Sequence, residues 1–164
     1  MFRKTIARHK GKIAKMLNEL PEIFKSIGID CNISVDTNGK FLSVTICVKT
    51  ENMPEWITIV RDFEDRTPLV ECWRRLTAEL VTAFICMSKA LLSATVNTAA
   101  NVDYFTLGIY CANGEKAISW VVCPKPDCIE VEENGMKREV LSWEEYIRKL
   151  AYTIRLIMEV GEDV

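Results

Sequence analysis

The chain has 164 residues, a length that favours a single domain with a sizeable core of its own. Its composition, 49% apolar and 27% charged, excludes an intrinsically disordered protein. The formal net charge of −2 argues against a protein that binds polyanions with its whole surface. However, the first fifteen residues contain six basic side chains and no acidic one: Arg3, Lys4, Arg8, Lys10, Lys12 and Lys15.

The sequence predicts a cytoplasmic protein. The basic start is not followed by the apolar segment and cleavage site of a secretory signal peptide. The most apolar stretch, residues 80–96, contains Lys89, and a charge within such a stretch disfavours a membrane span. The seven cysteines are odd in number and lack an export signal, so we expect reduced thiols that pack as small apolar groups.

The first predicted element is a basic N-terminal helix over residues 3–27. Apolar residues recur along it at helical spacing. Pro21 predicts a kink or break near Leu20, because proline lacks the N–H that a helix interior requires. Gly28 fits the left-handed position that ends a helix.

A β-hairpin is predicted next. Apolar and polar residues alternate on both sides of Asn38-Gly39, a dipeptide that supplies the positive φ angles of a type I′ turn. A two-residue turn there places every apolar residue on one face of the hairpin. The predicted pairs are Val35 with Leu42, Ile33 with Val44, and Cys31 with Ile46. A third strand is predicted over residues 56–63.

A long central helix is predicted over residues 67–97. Thr67 suits its N-cap and Pro68 its first position. Two neighbouring apolar strips run along this helix, so more than one of its sides must be covered. The first strip is predicted to be a partner or dimer surface, formed by Leu69, Trp73, Leu76, Leu80, Phe84, Met87 and Leu91.

The second half of the chain repeats the hairpin pattern. Around Asn113-Gly114, the alternation pairs residue 109 with 118, 107 with 120, and 105 with 122. A more polar hairpin is predicted around Asn134-Gly135. Ser142 and Glu145 form a capping box that begins a C-terminal helix over residues 143–160.

The predicted element order is α-βββ-α-ββ(ββ)-α. This order indicates one α+β domain over residues 1–164. We expect a twisted antiparallel sheet packed on the long central helix, with the N-terminal and C-terminal helices beside it.

No catalytic signature is present, and an enzyme is not expected. The only histidine, His9, lies in the basic N-terminal segment, and no glycine-rich phosphate loop occurs. Cys123 and Cys128 flank a loop whose spacing could form a disulfide or, with Cys111, bind zinc. Because Cys111 is predicted on the core face of its hairpin and Cys123 on the opposite face, no metal or other cofactor is expected.

Three segments together resemble the class I type III secretion chaperones and the YbjN-like proteins that share their fold. These segments are LNELPEIFKSIGIDCNISVDTNG, ALLSATVNTAANVDYFTLGIYCANG and REVLSWEEYIRKLAYTIRLIMEV. The resemblance covers nearly the whole chain as a pattern of elements and includes no catalytic motif. It implies a homodimer that binds extended segments of other proteins through apolar surface.

Two functions are therefore kept open. The first is a non-enzymatic protein-interaction module, chaperone-like or adaptor-like and homodimeric, whose protein partner is unknown. The alternative is a nucleic-acid-associated protein that binds through the basic N-terminal residues 3–15, with salt-dependent affinity. No membrane partner is expected.

Overall fold

In a computed structural model, the chain has an α+β fold with two antiparallel sheets. The structure describes residues 5–51, 55–87, 92–98 and 102–162. The chain divides into two compact units, Met1–Cys72 and Trp73–Val164. Within the described ranges, no helix is long and apolar enough to cross a membrane.

The N-terminal segment is not one helix. It forms a 3₁₀ turn at Ile6–Arg8, helix α1 at Lys10–Leu17 and helix α2 at Leu20–Lys25. The predicted continuous helix over residues 3–27 is therefore corrected, although the break near Leu20 is confirmed. Pro21 lies at the start of α2, where a missing N–H costs nothing.

The first unit contains a three-stranded sheet in the order β1-β2-β3. The strands are β1 at Asp30–Asp36, β2 at Phe41–Lys49 and β3 at Ile57–Glu64. Helices α1 and α2 lie against β1. The face of β2 that carries Leu42 and Val44 is buried, and we call the opposite face of this sheet its outer face.

The first hairpin has a register that differs by two residues from the prediction. Val35 pairs with Val44 rather than with Leu42, and Ile33 pairs with Ile46. The loop is longer because Asp36 Oδ1 accepts the Asn38 N–H at 2.9 Å. Only the glycine of the Asn-Gly pair has a positive φ, of 71°, so the type I′ turn is not formed. The apolar residues remain on one face because the shift is even.

The central helix is shorter than predicted. Helix α3 spans Leu69–Met87, and the strand β4, Leu92–Asn97, occupies the end of the predicted helix over residues 67–97. Exposed and half-buried residues alternate strictly along β4, as they do in a strand with one covered face. The residues between α3 and β4, which include Leu91, lie outside the described ranges.

The second unit contains a five-stranded meander in the order β4-β5-β6-β7-β8. Its other strands are β5 at Phe105–Cys111, β6 at Lys116–Pro124, β7 at Ile129–Glu133 and β8 at Glu139–Leu141. The predicted register of the second hairpin is confirmed by the pairs 109 with 118, 107 with 120 and 105 with 122.

The third hairpin has the turn that was predicted for the other two. Asn134 and Gly135 both have positive φ angles, 51° and 75°, and the Met136 N–H donates to the Glu133 carbonyl at 2.9 Å. These features define a type I′ turn.

The C-terminal helix α4 spans Trp143–Glu162 and begins with the predicted capping box. The Ser142 N–H donates to Glu145 Oε1 at 3.0 Å, and the Glu145 N–H donates to Ser142 Oγ at 3.1 Å. Two backbone donors at the start of the helix are thereby satisfied.

Candidate functional site

The predicted partner surface on α3 lies in the interior of the folded chain. Its described members are at most 9% exposed: Leu69, Trp73, Leu76, Leu80, Phe84 and Met87. Leu91 lies outside the described residues. The strip therefore contributes core packing and is not an exposed contact surface in this conformation.

Trp73 belongs to an aromatic cluster within the second unit. Its ring centroid lies 5.3 Å from that of Trp143, nearly edge-on, and 5.6 Å from that of Tyr146. The hydroxyl groups of Thr77 and Tyr146 share a buried hydrogen bond of 2.9 Å. Burial raises the pKa of Tyr146 above its ordinary value, so the phenol stays protonated. This arrangement is that of a rigid, specifically packed core.

The predicted basic patch is partly used in holding the first unit together. Lys10 Nζ lies 2.8 Å from Asp65 Oδ1 and donates to the carbonyls of Thr37 and Gly39, at 3.3 and 3.0 Å. The Lys10 side chain is only 14% exposed. It therefore links α1 to the β1–β2 turn and to the end of β3 instead of presenting its charge to an anionic partner.

Of the other patch residues, Arg8, Lys12 and Lys15 are exposed, whereas Arg3 and Lys4 lie outside the described residues. The nucleic-acid alternative thus depends on a smaller set of exposed charges than the sequence suggested.

The cysteine loop is less suited to metal binding than its spacing suggests. Cys123 faces Glu130 across the β6–β7 pair, and burial followed by the Glu130 charge raises the pKa of the Cys123 thiol. The pKa of Cys128 is also raised, by burial and then by Asp127. Raised pKa values disfavour the thiolates that zinc requires. In the described part of the chain, no group of three or more His, Cys, Asp or Glu side chains could hold a metal ion.

The strand β3 carries three consecutive exposed residues. It lies at the edge of the three-stranded sheet, next to β2 alone among the described strands. Val60 is 63% exposed, and Arg61 and Asp62 are also exposed. Because these three residues are consecutive and point to both sides of the strand, the strand itself is open to solvent there. At an edge of this kind, backbone N–H and C=O groups point away from the sheet.

The outer face beside this edge carries exposed apolar side chains. Phe41 on β2 is 46% exposed, and Trp56, which directly precedes β3, is 40% exposed. Lys49 Nζ lies 4.8 Å from the centre of the Trp56 ring, a cation–π contact that orients the indole. Val60 lies on the same face, which polar side chains usually occupy, and is separated from Phe41 by Asp62 and Ser43 and from Trp56 by Thr58.

One end of the same face is acidic. Asp62 pairs with Ser43, and Ser43 pairs with Asp36 on the next strand. Glu64 pairs with Phe41, so an exposed aromatic ring lies among carboxylates. A partner segment with apolar and basic residues in alternation would match this face in both character and charge.

The other sheet edges are shorter or better protected. The edge strand β8 has only three residues, against eight in β3. On β4, Arg74 Nη1 donates to the Val96 carbonyl at 3.4 Å. The strand β1 is in contact with α1 and α2. We therefore take the β3 edge, defined as Ile57–Glu64 with Trp56, as the candidate site.

Comparison with known proteins adds no functional information. No family model, no curated protein and no solved structure matches the chain. Any function must accordingly be argued from the site itself.

Sequence reasoning missed the β3 edge, although one signal was present. Inward-facing positions of β3 hold Ile57, Ile59, Arg61 and Phe63. A charged residue at an inward position is a known feature of edge strands, because it discourages uncontrolled pairing. Arg61 was therefore the residue that could have identified the edge.

Proposed function

We propose that the chain is a non-enzymatic protein-interaction module, adaptor-like or chaperone-like, which binds an extended protein segment at the β3 edge. The observation that carries this proposal is the exposure of Val60, Arg61 and Asp62 in succession on an eight-residue edge strand. An extended segment added beside β3 would continue the sheet by one strand.

Affinity and specificity would come from different parts of the site. Backbone N–H and C=O groups of β3 would supply hydrogen bonds to any extended chain. Val60 and Trp56 would contact apolar side chains of the partner, and Asp62 and Glu64 would favour basic ones. This division is the usual one when a strand is added to a sheet.

The proposal can be tested by site-specific cross-linking. A photoreactive amino acid is placed at Val60 and, as a control, at Met136, which is 72% exposed in the second unit. We expect discrete adducts at position 60 that are absent at position 136, and mass spectrometry identifies the trapped protein. The purified trapped protein should then bind the wild-type chain and lose affinity for the Val60→Lys variant, which places a like charge opposite its basic residues.

Two results would contradict the proposal. One is the same set of adducts from both positions, which would indicate random collision. The other is an unchanged affinity of the purified partner for Val60→Lys, because this substitution places a positive charge at the centre of the strand that is proposed to bind basic residues. Since Val60 is largely exposed, the variant should retain the wild-type unfolding midpoint.

A further inference from the structure

We infer that the partner segment binds antiparallel to β3 and carries, from its amino end, two basic residues and then an apolar residue at alternate positions, opposite Glu64, Asp62 and Val60. This inference rests on the proposed function, since it specifies the direction and the sequence of the segment that the β3 edge binds. Three features of the edge carry it: the phase of the backbone hydrogen bonds, the order of the outer side chains and the direction of pairing within the sheet.

The pairing of β3 with β2 determines which backbone groups face the open side of the edge. The Asp65 N–H donates to the Lys40 carbonyl at 2.8 Å, and the register, continued by one pair, places these two residues opposite each other. Hydrogen-bonded and non-hydrogen-bonded pairs alternate along an antiparallel ladder. The backbone groups that point away from β2 therefore belong to alternate residues of β3, beginning next to Asp65: Glu64, Asp62, Val60 and Thr58.

These four residues also carry the side chains of the outer face, because the hydrogen-bond phase and the side-chain direction share a period of two. An antiparallel segment would form a hydrogen-bonded pair with each of them. The side chain of each opposing residue would then lie on the outer face, beside the side chain that it faces. The segment would thus form its backbone hydrogen bonds and its outer side-chain contacts with the same residues.

The outer side chains change in character along the strand. Val60, at the centre, is apolar and 63% exposed. Asp62 and Glu64 follow it at the end of β3, whereas Thr58 and Trp56 precede it. Because both carboxylates lie on one side of Val60, a segment with its basic residues at one end matches these positions in only one direction.

The sheet itself favours the antiparallel direction. All three of its strands pair antiparallel, and an antiparallel pair is slightly more stable per residue than a parallel one. In this direction the amino end of the segment lies at Glu64 and its carboxyl end at Trp56. Lys49 Nζ lies 4.8 Å from the centre of the Trp56 ring and disfavours a basic residue at that second end. The basic residues of the segment should therefore precede its apolar ones.

The probe for the test is a fluorescent peptide with the sequence Lys-Thr-Lys-Thr-Val-Thr-Ser-Thr-Leu. The matched control is the reversed sequence, which has the same composition and can place its lysines opposite the two carboxylates only by binding parallel. Fluorescence anisotropy is measured with the full chain at up to about 500 μM, because one added strand forms a small interface. The forward peptide should bind about threefold or more tightly than the reversed peptide, the factor expected for two exposed ion pairs.

Charge reversal tests the register. Asp62→Lys should weaken binding of the forward peptide about fivefold or more, because it places like charges opposite each other. Glu115→Lys makes the same change in net charge at an exposed position of the second unit and should leave the affinity unchanged. A peptide with glutamate in place of its second lysine should recover affinity for Asp62→Lys, and glutamate in place of its first lysine should recover less. Since Asp62 is exposed, the variant should retain the wild-type unfolding midpoint.

Nuclear magnetic resonance tests the direction and the hydrogen-bond phase. A nitroxide at the amino end of the peptide should broaden the amide signal of Glu64 more than that of Trp56. The bound peptide should slow amide hydrogen exchange at Val60 and Asp62, whose N–H groups face the open side. Exchange at Ile59, whose N–H group faces β2, should not change.

The outcomes separate this inference from the proposed function. Equal affinities of the two peptides, no binding of either, stronger broadening at Trp56, or slower exchange at Ile59 instead of Val60 would overturn the inference. If position 60 nevertheless cross-links a different protein specifically, the proposed function stands with a partner of another sequence. A cross-link between two copies of the chain would identify a second copy as the occupant and would also overturn the inference. If neither peptide binds and position 60 yields no specific adduct, both are refuted.

Discussion

The hydrogen bond between Thr77 and Tyr146 should be a measurable source of stability. Both residues are fully buried, and their hydroxyl groups lie 2.9 Å apart. Tyr146→Phe removes one hydroxyl and leaves Thr77 Oγ1 buried without that partner. An unpaired buried hydroxyl costs about 1–3 kcal/mol. For a chain of this size, the loss corresponds to a melting temperature lower by about 2–12 °C.

The measurement is urea unfolding followed by tryptophan fluorescence, since Trp73 and Trp143 adjoin the mutated ring. Tyr152→Phe is the matched control, because it makes the same chemical change at a 59% exposed position and should alter the unfolding free energy by less than about 0.5 kcal/mol.

A double-mutant cycle then isolates the hydrogen bond itself. Thr77→Val removes the other hydroxyl, so the variant that carries both changes no longer leaves a buried polar group unpaired. It should be less destabilised than the sum of the single variants, by about 1 kcal/mol. If Tyr146→Phe behaves like Tyr152→Phe, or if the two losses simply add, the hydrogen bond does not stabilise the fold and the reasoning is refuted.

Three further predictions concern single side chains. In urea titrations, Lys10→Met should lower the unfolding free energy by about 1–2 kcal/mol, because it removes an ion pair with Asp65 and two hydrogen bonds to backbone carbonyls. Lys15→Met is the control and should change the unfolding free energy by less than about 0.5 kcal/mol. The backbone N–H of Ser142 lowers the pKa of Glu145. The ionised carboxylate therefore stabilises the fold above its unfolded pKa, and this contribution is lost as the pH falls through the lower folded value. In thermal melts, the difference in melting temperature between wild type and Glu145→Gln should shrink in acid, and a pH-independent difference would contradict this prediction. Burial raises the pKa of Cys31 to about 12, so iodoacetamide should label this thiol far more slowly in the native chain than in denaturant. Peptide mass mapping measures both labelling rates, and equal rates would contradict the burial of the Cys31 thiol.

The hairpins show how much of a strand register can be predicted from the alternation of apolar and polar residues. The register around residues 105–122 was predicted correctly, although its turn is not type I′: only Gly114 of the Asn-Gly pair has a positive φ, and a bulge follows Ile109. At the first hairpin, the Asn38 backbone N–H donates to the Asp36 carboxylate in a longer loop, and the register differs by two from the prediction. Side-chain alternation fixes which face is buried, because its period is two, but it tolerates any even shift.

The overextended central helix has a different physical cause. Leu92 and Val96 lie four residues apart and continue the helical spacing of the preceding segment. The same residues also alternate with Ser93, Thr95 and Asn97, and this is the pattern that the structure realises as β4. A short apolar run fits both periods, and pairing with β5 decides between them. That pairing is a tertiary contact, which local spacing does not contain.

The location of the proposed binding surface depends on strand order rather than on hydrophobicity. The sequence predicted apolar strips on a helix over residues 67–97, whereas α3 ends at Met87 and the described residues of its first strip are buried. A central strand and an edge strand share the same alternation, so the position of β3 at an edge was not evident from its apolar residues. What distinguishes β3 is Arg61 between the inward-facing residues Ile59 and Phe63. The Arg61 side chain is exposed although it lies at an inward-facing position, as is expected for a strand at the edge of the described sheet. The proposed binding of an extended segment depends on that same edge position.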